Sequence, residues 1–269
     1  MKVFALRDSE YKNMDLAYLF YYKKSKKFFF ELPKHADPWQ LPLLLSSFAA
    51  RKIYTVDAER SQLWVQQRIV PPDRQNIGHI LKEYKLKEYD EFKLLMIASG
   101  TCAQDSYYLK RIQQGDCSAE IRKRREKRIA DILALDDCRM LIFFKNGKTK
   151  KYDFRRILQN DVRFAPILRE KELFRRAEIQ PGGYGIQWGT NLCIMYPELY
   201  KMGKYIDIDL RDILHFIDCR VVDTIEAMQI LNCTRQGIGA FIDKGKLFPI
   251  KSGKKSRLFL KSAVVQVAE

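Results

Sequence analysis

The chain has 269 residues, of which 46% are hydrophobic, and a formal net charge of +16 from 49 Lys and Arg against 33 Asp and Glu. This composition provides enough apolar material for two or three domains, and the excess of positive charge favours a polyanionic partner. No apolar run approaches the roughly 20 residues of a membrane-spanning helix, and the start MKVFALRDSE lacks a signal-peptide pattern. We therefore expect a cytoplasmic protein.

The six cysteines and three histidines are scattered along the chain, and no Cys-x-x-Cys pair occurs. Zinc sites usually show close pairs of such residues, so we expect reduced thiols, no metal and no cofactor.

Residues 1–115 are predicted to form a first α+β unit. Aromatic runs at Ala17–Tyr22 and Phe28–Leu32 flank a lysine-rich turn, which is typical of a β-hairpin. After Pro71 and Pro72, Asp73 is expected to open one helix, and Tyr89–Glu91 to open another.

The end of this unit resembles the N-terminal subdomain of HipA-type serine/threonine kinases. The matching positions are Pro72, Arg74, Ile80, Leu81, Phe92, Leu94, Leu95, Gly100, Cys102 and Ala103. The family's usual glycine after the Cys-Ala step is Gln104 here. The resemblance implies only an accessory subdomain, since the later chain has no glycine-rich phosphate loop or ordered catalytic and magnesium-binding Asp residues. Trp39, Trp64 and Arg74 are candidate partner contacts, with core packing as the alternative for each tryptophan.

Residues 116–136 are predicted to form a basic connecting helix that runs from its cap, Ser118, to Leu135. Its apolar side is formed by Ile121, Ile129, Ile132 and Leu133. The run Arg122–Arg128 holds six basic residues. It is either a second phosphate contact or the solvated face of a helix that joins two domains.

Residues 137–204 are predicted to form a small second α+β unit. Met140–Phe144 and Lys148–Tyr152 are expected strands joined by Asn146-Gly147, two residues that accept positive φ. A second hairpin is expected to pair Arg176–Ile179 with Gly185–Trp188 across a glycine-rich turn, which is a more ordinary explanation of these glycines than a phosphate loop. A short helix at Pro197–Lys201 closes the unit.

This unit resembles a toxin–antitoxin-associated domain of unknown function, the 2442 family. The residues that show the likeness are Phe144–Gly147, Asp153, Phe154, Phe174, Ile186–Gly189, Asn191, Leu192 and Pro197–Tyr200. The resemblance implies protein binding, as in the antitoxin member of a pair, and no known catalysis.

Residues 205–220 are interpreted as a linker with a helix at Asp209–Asp218, whose apolar residues Leu210, Ile213, Leu214 and Ile217 share one face. That face is expected to pack on the second unit or to pair with its copy in a dimer. The sequence does not choose between them.

Residues 221–269 are predicted to form a helix-turn-helix followed by a two-stranded wing. Asp223 or Thr224 caps the first helix, Asn232-Cys233 is the turn, and Thr234 caps the second helix, which ends at Gly245. Ile225, Met228 and Leu231 are expected on one apolar face of the first helix, and Ile238, Phe241 and Ile242 on that of the second. Expected strands cover Phe248–Lys251 and Arg257–Leu260, and Ser262 is expected to cap a last helix.

This segment resembles the winged helix-turn-helix of the excisionase and MerR-like families. The likeness lies in Glu226, Ala227, Leu231, Thr234, Arg235, Gln236, Lys244–Pro249 and Phe259–Ser262, with Ala263 where the family usually has an acidic residue. From Thr234 to Lys261 there are eight basic residues and a single acidic one, Asp243. We expect the start of the second helix to contact bases and the wing to contact phosphates. The expected DNA-binding residues are Thr234, Arg235, Gln236, Lys244, Lys251, Lys254, Lys255 and Arg257, with Gly237 leaving the approach to the groove open.

The sequence thus predicts a multidomain α+β protein that is a DNA-binding transcriptional regulator and not an enzyme. Both upstream resemblances favour an antitoxin-like autorepressor that also binds a protein, such as a HipA-like kinase toxin, and a homodimer on DNA is expected. One alternative is an interaction scaffold that does not touch DNA. A less favoured one is an enzyme acting on nucleic acid, for which no paired carboxylates, Ser-His-Asp set or metal cluster stands out.

Overall fold

The computed structural model describes residues 1–10, 14–159, 161–189, 192–202, 206–253 and 256–268. Helices alternate with strands in several small, separate sheets, so the chain is a multidomain α+β protein. Within these residues, no helix has both the length and the apolar character that crossing a bilayer requires.

The described strands are β1 (Lys2–Asp8), β2 (Ala17–Tyr22), β3 (Lys27–Glu31), β4 (Thr55–Val56), β5 (Tyr107–Ile112), β6 (Ile129–Ala134), β7 (Arg139–Phe144), β8 (Thr149–Asp153), β9 (Glu178–Ile179), β10 (Gly185–Trp188), β11 (Leu192–Met195), β12 (Val221–Val222), β13 (Lys251–Ser252) and β14 (Arg257–Leu260). The described α-helices are α1 (Leu43–Ala50), α2 (Ala58–Gln66), α3 (Ile77–Glu83), α4 (Glu91–Ile97), α5 (Ala119–Arg125), α6 (Phe154–Leu158), α7 (Ala165–Arg169), α8 (Lys171–Arg175), α9 (Tyr196–Lys201), α10 (Leu210–Arg220), α11 (Thr224–Leu231), α12 (Arg235–Asp243) and α13 (Lys261–Ala268).

The chain divides into two compact units. Unit 1 comprises Met1–Ala130, Phe144–Gly147 and Glu178–Met202, and unit 2 comprises Asp131–Phe143, Lys148–Ala177 and Gly203–Glu269. The predicted boundaries do not coincide with this division. The predicted middle unit, residues 137–204, contributes to both units, and the C-terminal module belongs with much of the middle of the chain.

Unit 1 is built on an antiparallel sheet with the strand order β4-β3-β2-β1-β5, which contains the predicted hairpin of β2 and β3. Side chains alternate between the two faces of a strand. Phe4 and Leu6 of β1 therefore join one core with Trp64, while Val3 and Ala5 join another on the opposite face.

The helix predicted by Asp73 begins later than expected, at Ile77 with Asn76 as its N-cap. The helix predicted at Tyr89–Glu91 is confirmed, because Asp90 accepts a hydrogen bond from the Lys93 amide and starts α4.

The residues from Glu178 to Met202 add a second small sheet to unit 1, with the order β11-β10-β9. The predicted pairing of β9 with β10 is confirmed. The Tyr184 ring stacks on the Phe29 ring with centroids 4.0 Å apart. The Tyr196 hydroxyl lies 3.2 Å from Thr55 Oγ1, which donates to the buried Glu31 carboxylate. These contacts join the late segment to the first sheet.

The single helix predicted from Ser118 to Leu135 was wrong. Ser118 does cap a helix, by accepting from the Ile121 amide, but α5 ends at Arg125 and β6 begins at Ile129. The basic run is only partly solvated, because Arg122 and Lys123 are exposed whereas Arg125 and Arg128 are buried. The Arg125 guanidinium lies 3.7 Å from the Phe20 ring centroid, and Arg128 Nη1 donates to the Tyr22 hydroxyl at 2.7 Å. Arg125 and Arg128 are 4% and 5% exposed, so neither is placed to contact a phosphate.

Strands β7 and β8 form the predicted hairpin around Asn146-Gly147, with Met140 opposite Tyr152. Gly147 has φ +81°, the left-handed conformation that made glycine the expected residue there. The ring of Phe154 packs against that of Phe174 at 5.6 Å.

Within unit 2, α10 packs through the side that carries Asp212 and Phe216, so its apolar face does not make the packing contact that was one of the two expectations. Its apolar residues are each between 48% and 69% exposed, and they are Leu210, Ile213, Leu214 and Ile217. Its polar side is fixed, because Lys151 Nζ lies 2.6 Å from Asp212 Oδ2 and 3.2 Å from Asp209 Oδ2. The rings of Phe216 and Phe143 lie 5.2 Å apart. Burial of the Lys151 amine, which by itself lowers the pKa, is outweighed by the two carboxylates, so the pKa of Lys151 is raised.

Candidate nucleic-acid interface

Two short helices and a tight turn form the start of the C-terminal module. The predicted cap is confirmed: Asp223 Oδ1 accepts from the amides of Ile225 and Glu226, and the Glu226 carboxylate accepts from the Asp223 amide. This reciprocal arrangement satisfies the donors that a helix start leaves unpaired. Asn232 ends α11 in the left-handed conformation, with φ 47°, and asparagine tolerates this backbone better than most residues.

A small core joins the two helices to the strands and to α13. Its buried members are Val222, Ala227, Ile238, Leu247, Phe259 and Val264. Met228, Leu231, Phe241 and Ile242 pack against it from the helices, as predicted. Ile225, which was expected on the same face, is 61% exposed. It lies about 100° around α11 from the buried Thr224, so its side chain is turned away from the core.

The wing is an antiparallel pair of β13 and β14, with Lys251 opposite Leu258. Val222 of β12 pairs with Phe259 on the other side of β14. The strand predicted from Phe248 is shorter than expected, because Pro249 has no amide hydrogen to donate; the first wing hydrogen bond runs from the Ile250 amide to the Leu258 carbonyl.

Thr224 fastens the wing to α11, a role that the sequence did not suggest. Its hydroxyl accepts from the Arg257 amide at 3.0 Å and lies 3.2 Å from the Arg257 carbonyl, to which it donates. Thr224 had been considered only as an alternative helix cap. A threonine adjacent to an Asp cap carries no signal for such a long-range bond.

The first turn of α12 presents three polar side chains to solvent: Thr234, Arg235 and Gln236. Thr234 Oγ1 accepts a hydrogen bond from the Gly237 amide at 3.3 Å, so the predicted cap is confirmed. This bond uses one lone pair of the Thr234 hydroxyl oxygen. A Cβ at Gly237 would lie 3.1 Å from Cys233 Cβ. Gly237 therefore serves close packing inside the module, and the predicted role of clearing a path to DNA is not needed to explain it.

The remaining predicted phosphate contacts are exposed where the structure describes them: Lys244, Lys251 and Arg257. Lys254 and Lys255 lie outside the described residues. Gly245 ends α12 with φ 65°, as predicted. Ser262 was expected to cap the last helix, but α13 already includes Lys261.

The three proposed partner contacts in unit 1 differ in accessibility. Trp39 is 93% exposed and Arg74 is also exposed, whereas Trp64 is fully buried. The Trp64 ring packs edge-on against Phe30, with Arg68 4.0 Å from its centroid. Trp64 is therefore a core residue and cannot anchor a partner.

Among the described residues, one group brings three possible metal ligands together. The ligand atoms of His215, Asp218 and Cys219 lie within 4.8 Å of one another. The sequence suggested no such group, although its spacing of three and four residues is the helical signal for a shared face.

Residues 129–205 match the family described as "Protein of unknown function (DUF2442)". The predicted resemblance of the middle region is thereby confirmed. Of the residues quoted for it, Asn191 lies outside the described part of the chain. The match covers less than a third of the chain, and its description assigns no activity. No curated protein and no solved structure matches the chain.

Proposed function

We propose that the C-terminal module, residues 221–269, binds duplex DNA with sequence preference and that the chain is a transcriptional regulator. The observation that supports this most directly is the exposed first turn of α12. Arg235 and Gln236 point out of a capped helix that follows a tight turn, which is the position from which a recognition helix contacts bases in the major groove.

The charges around this turn suit the phosphates on either side of a groove. Lys244 follows α12, Lys251 and Arg257 lie on the two wing strands, and all three are exposed. Phosphate contacts would orient the module, whereas Arg235 and Gln236 would supply base preference through guanine and adenine edges.

The test of base recognition begins with selection of binding sites from a randomised duplex library at fixed salt. The selected site is then titrated with the intact protein and with Arg235→Ala. We expect Arg235→Ala to lose about 1–3 kcal/mol of binding free energy and to show a relaxed preference at one base pair. Arg211→Ala, which removes an exposed arginine from α10, is the matched control. If Arg235→Ala keeps the preference of the intact protein, Arg235 does not contact bases.

The test of phosphate contact is the salt dependence of affinity. Lys244→Ala should weaken binding to all sequences alike and reduce the slope of log K against log salt by about 1. Lys171→Ala, in α8 of the same unit, should leave the slope unchanged. Absence of any salt-dependent binding by the intact chain would favour the alternative, an interaction scaffold.

We further propose that the chain is the antitoxin and autorepressor of a toxin–antitoxin pair, and that it binds a HipA-like kinase toxin through unit 1. Trp39 supports a protein contact there, because it is 93% exposed and aromatic side chains dominate binding hot spots. The test is to co-express the chain with the product of the adjacent gene. The intact chain should relieve growth arrest and Trp39→Ala should not, while Arg235→Ala should relieve arrest but lose repression. Growth arrest that persists with the intact chain would refute the antitoxin role and leave DNA binding unaffected.

A further inference from the structure

Three side chains of different chemistry project from the same side of α10. His215, Asp218 and Cys219 stand three and four residues apart, and the helix repeat of 3.6 residues places them on one face. His215 and Asp218 are exposed and Cys219 is half-buried. The exposed apolar residues of α10 lie on a different face of the helix, whereas Cys219 also packs against the buried Leu133, Leu135 and Leu141.

We propose that His215, Asp218 and Cys219 bind a zinc ion, with water as the fourth ligand. Thiolate, imidazole and carboxylate are the three ligand types that zinc takes in proteins, and three protein ligands with one open position is an arrangement that it commonly adopts. Magnesium and calcium prefer sites made entirely of oxygen, and a thiolate beside an imidazole does not suit them.

The separation of the Cys219 and His215 ligand atoms needs little change to accept the ion. Cys219 Sγ lies 3.8 Å from His215 Nε2 and 3.9 Å from Nδ1. Tetrahedral zinc, with bonds of about 2.3 Å to sulfur and 2.0–2.1 Å to nitrogen, requires a sulfur–nitrogen separation of about 3.6 Å. Rotation about side-chain bonds can remove this small difference in the sulfur–nitrogen separation without moving the helix.

The backbone of α10 is held at both of its ends. At its first turn, Asp212 pairs with the buried Lys151. At its last residue, Arg220 Nη2 donates to the Ile132 carbonyl at 2.5 Å and Arg220 Nε lies 3.1 Å from Asp131 Oδ2. A fixed helix loses little conformational freedom when the ion binds, which favours affinity.

The experiment is a titration of the intact chain with Co²⁺ in the absence of DNA, followed by displacement with Zn²⁺. We expect one Co²⁺ per chain, a thiolate-to-cobalt charge-transfer band and the strong visible absorption of tetrahedral cobalt. Cys219→Ser should abolish the charge-transfer band. His215→Ala and Asp218→Asn should each weaken binding by at least about 10-fold, since even changes beyond the direct ligands cost that much.

The controls remove the same chemical groups elsewhere. Cys193→Ser and His79→Ala each change an exposed residue of unit 1 and should leave the titration unaltered, and circular dichroism verifies that every variant is folded. Failure of the intact chain to bind Co²⁺ would overturn the proposal, as would a spectrum that is the same in the intact chain, Cys219→Ser and His215→Ala. Because DNA is absent, neither result bears on the proposed regulation.

Discussion

Lys151 is expected to fasten α10 to the rest of unit 2. Its amine is almost fully buried and lies 2.6 Å from Asp212 Oδ2, on a side chain that is 8% exposed. Lys151→Met would leave the Asp212 carboxylate buried without its cation. Removing one partner of a buried pair costs about 3–5 kcal/mol. We expect a loss of stability of about 3 kcal/mol, at the lower end of this range. The reason is that Asp212 still accepts a hydrogen bond from the Asp209 amide at 2.9 Å.

The assay must report on unit 2 specifically. Trp39, Trp64 and Trp188 all belong to unit 1, so tryptophan fluorescence is the wrong probe. Hydrogen exchange followed by mass spectrometry of the peptide covering residues 206–222 is suitable. A loss of about 3 kcal/mol corresponds to exchange roughly 100-fold faster there, with peptides of the β1–β5 sheet unchanged.

Two further variants separate the ion pair from general damage. Lys151→Met combined with Asp212→Leu removes both charges and should cost less than Lys151→Met alone, because no unpaired charge remains. Lys171→Met, an exposed lysine of the same unit, should have no effect. Exchange in Lys151→Met within about 3-fold of the intact chain, a cost of less than roughly 1 kcal/mol, would refute the reasoning.

Three other outcomes are expected. Trp64→Ala should destabilise unit 1 by about 3–5 kcal/mol, because it empties a fully buried site, whereas Trp39→Ala should leave urea unfolding unchanged. Thr224→Val should lower the free energy of unfolding by about 1–3 kcal/mol and weaken DNA binding, since the Arg257 amide and carbonyl lose their partner. A DNA affinity equal to that of the intact chain would argue against a functional wing. Burial raises the pKa of Cys117 from 9.0 to about 11. The native thiol should therefore resist iodoacetamide at pH 8, and its contribution to stability, present below pH 9, should be lost between pH 9 and 11; rapid labelling of Cys117 in the folded protein would contradict its burial.

The sequence predicted local structure well wherever one residue decides the backbone. Asp223 and Thr234 are caps and Gly245 has positive φ, because each satisfies a local requirement of a helix end. The order of two helices with a tight turn between them and a strand pair after them follows from these signals together with the apolar spacing.

The sequence failed where two structures share one pattern. Ile129, Ile132 and Leu133 have the spacing of an apolar helix face. The structure instead places all three as buried residues of strand β6, so the same apolar pattern fits both kinds of element. The charges of Arg125 and Arg128 suggested solvent, yet aromatic rings and a tyrosine hydroxyl in the tertiary structure accommodate them. No local rule shows that those rings are nearby.

Only those features of the candidate site that depend on neighbouring residues in the sequence were predicted. Arg235 and Gln236 were found because a cap and a turn place them, whereas the bond from Thr224 to Arg257 spans 33 residues. The group of His215, Asp218 and Cys219 was overlooked because zinc was sought as paired cysteines, although the helical spacing was visible.

The place of Tyr184 and Tyr196 in unit 1 affects how this protein is best dissected. A fragment cut at the ends of the DUF2442 match would keep both rings but discard Phe29 and Thr55, their partners in the first sheet. The aromatic surface that this cut exposes would promote aggregation of the fragment. The family's sequence limits are therefore not folding limits in this chain, and a soluble piece must retain the amino-terminal strands.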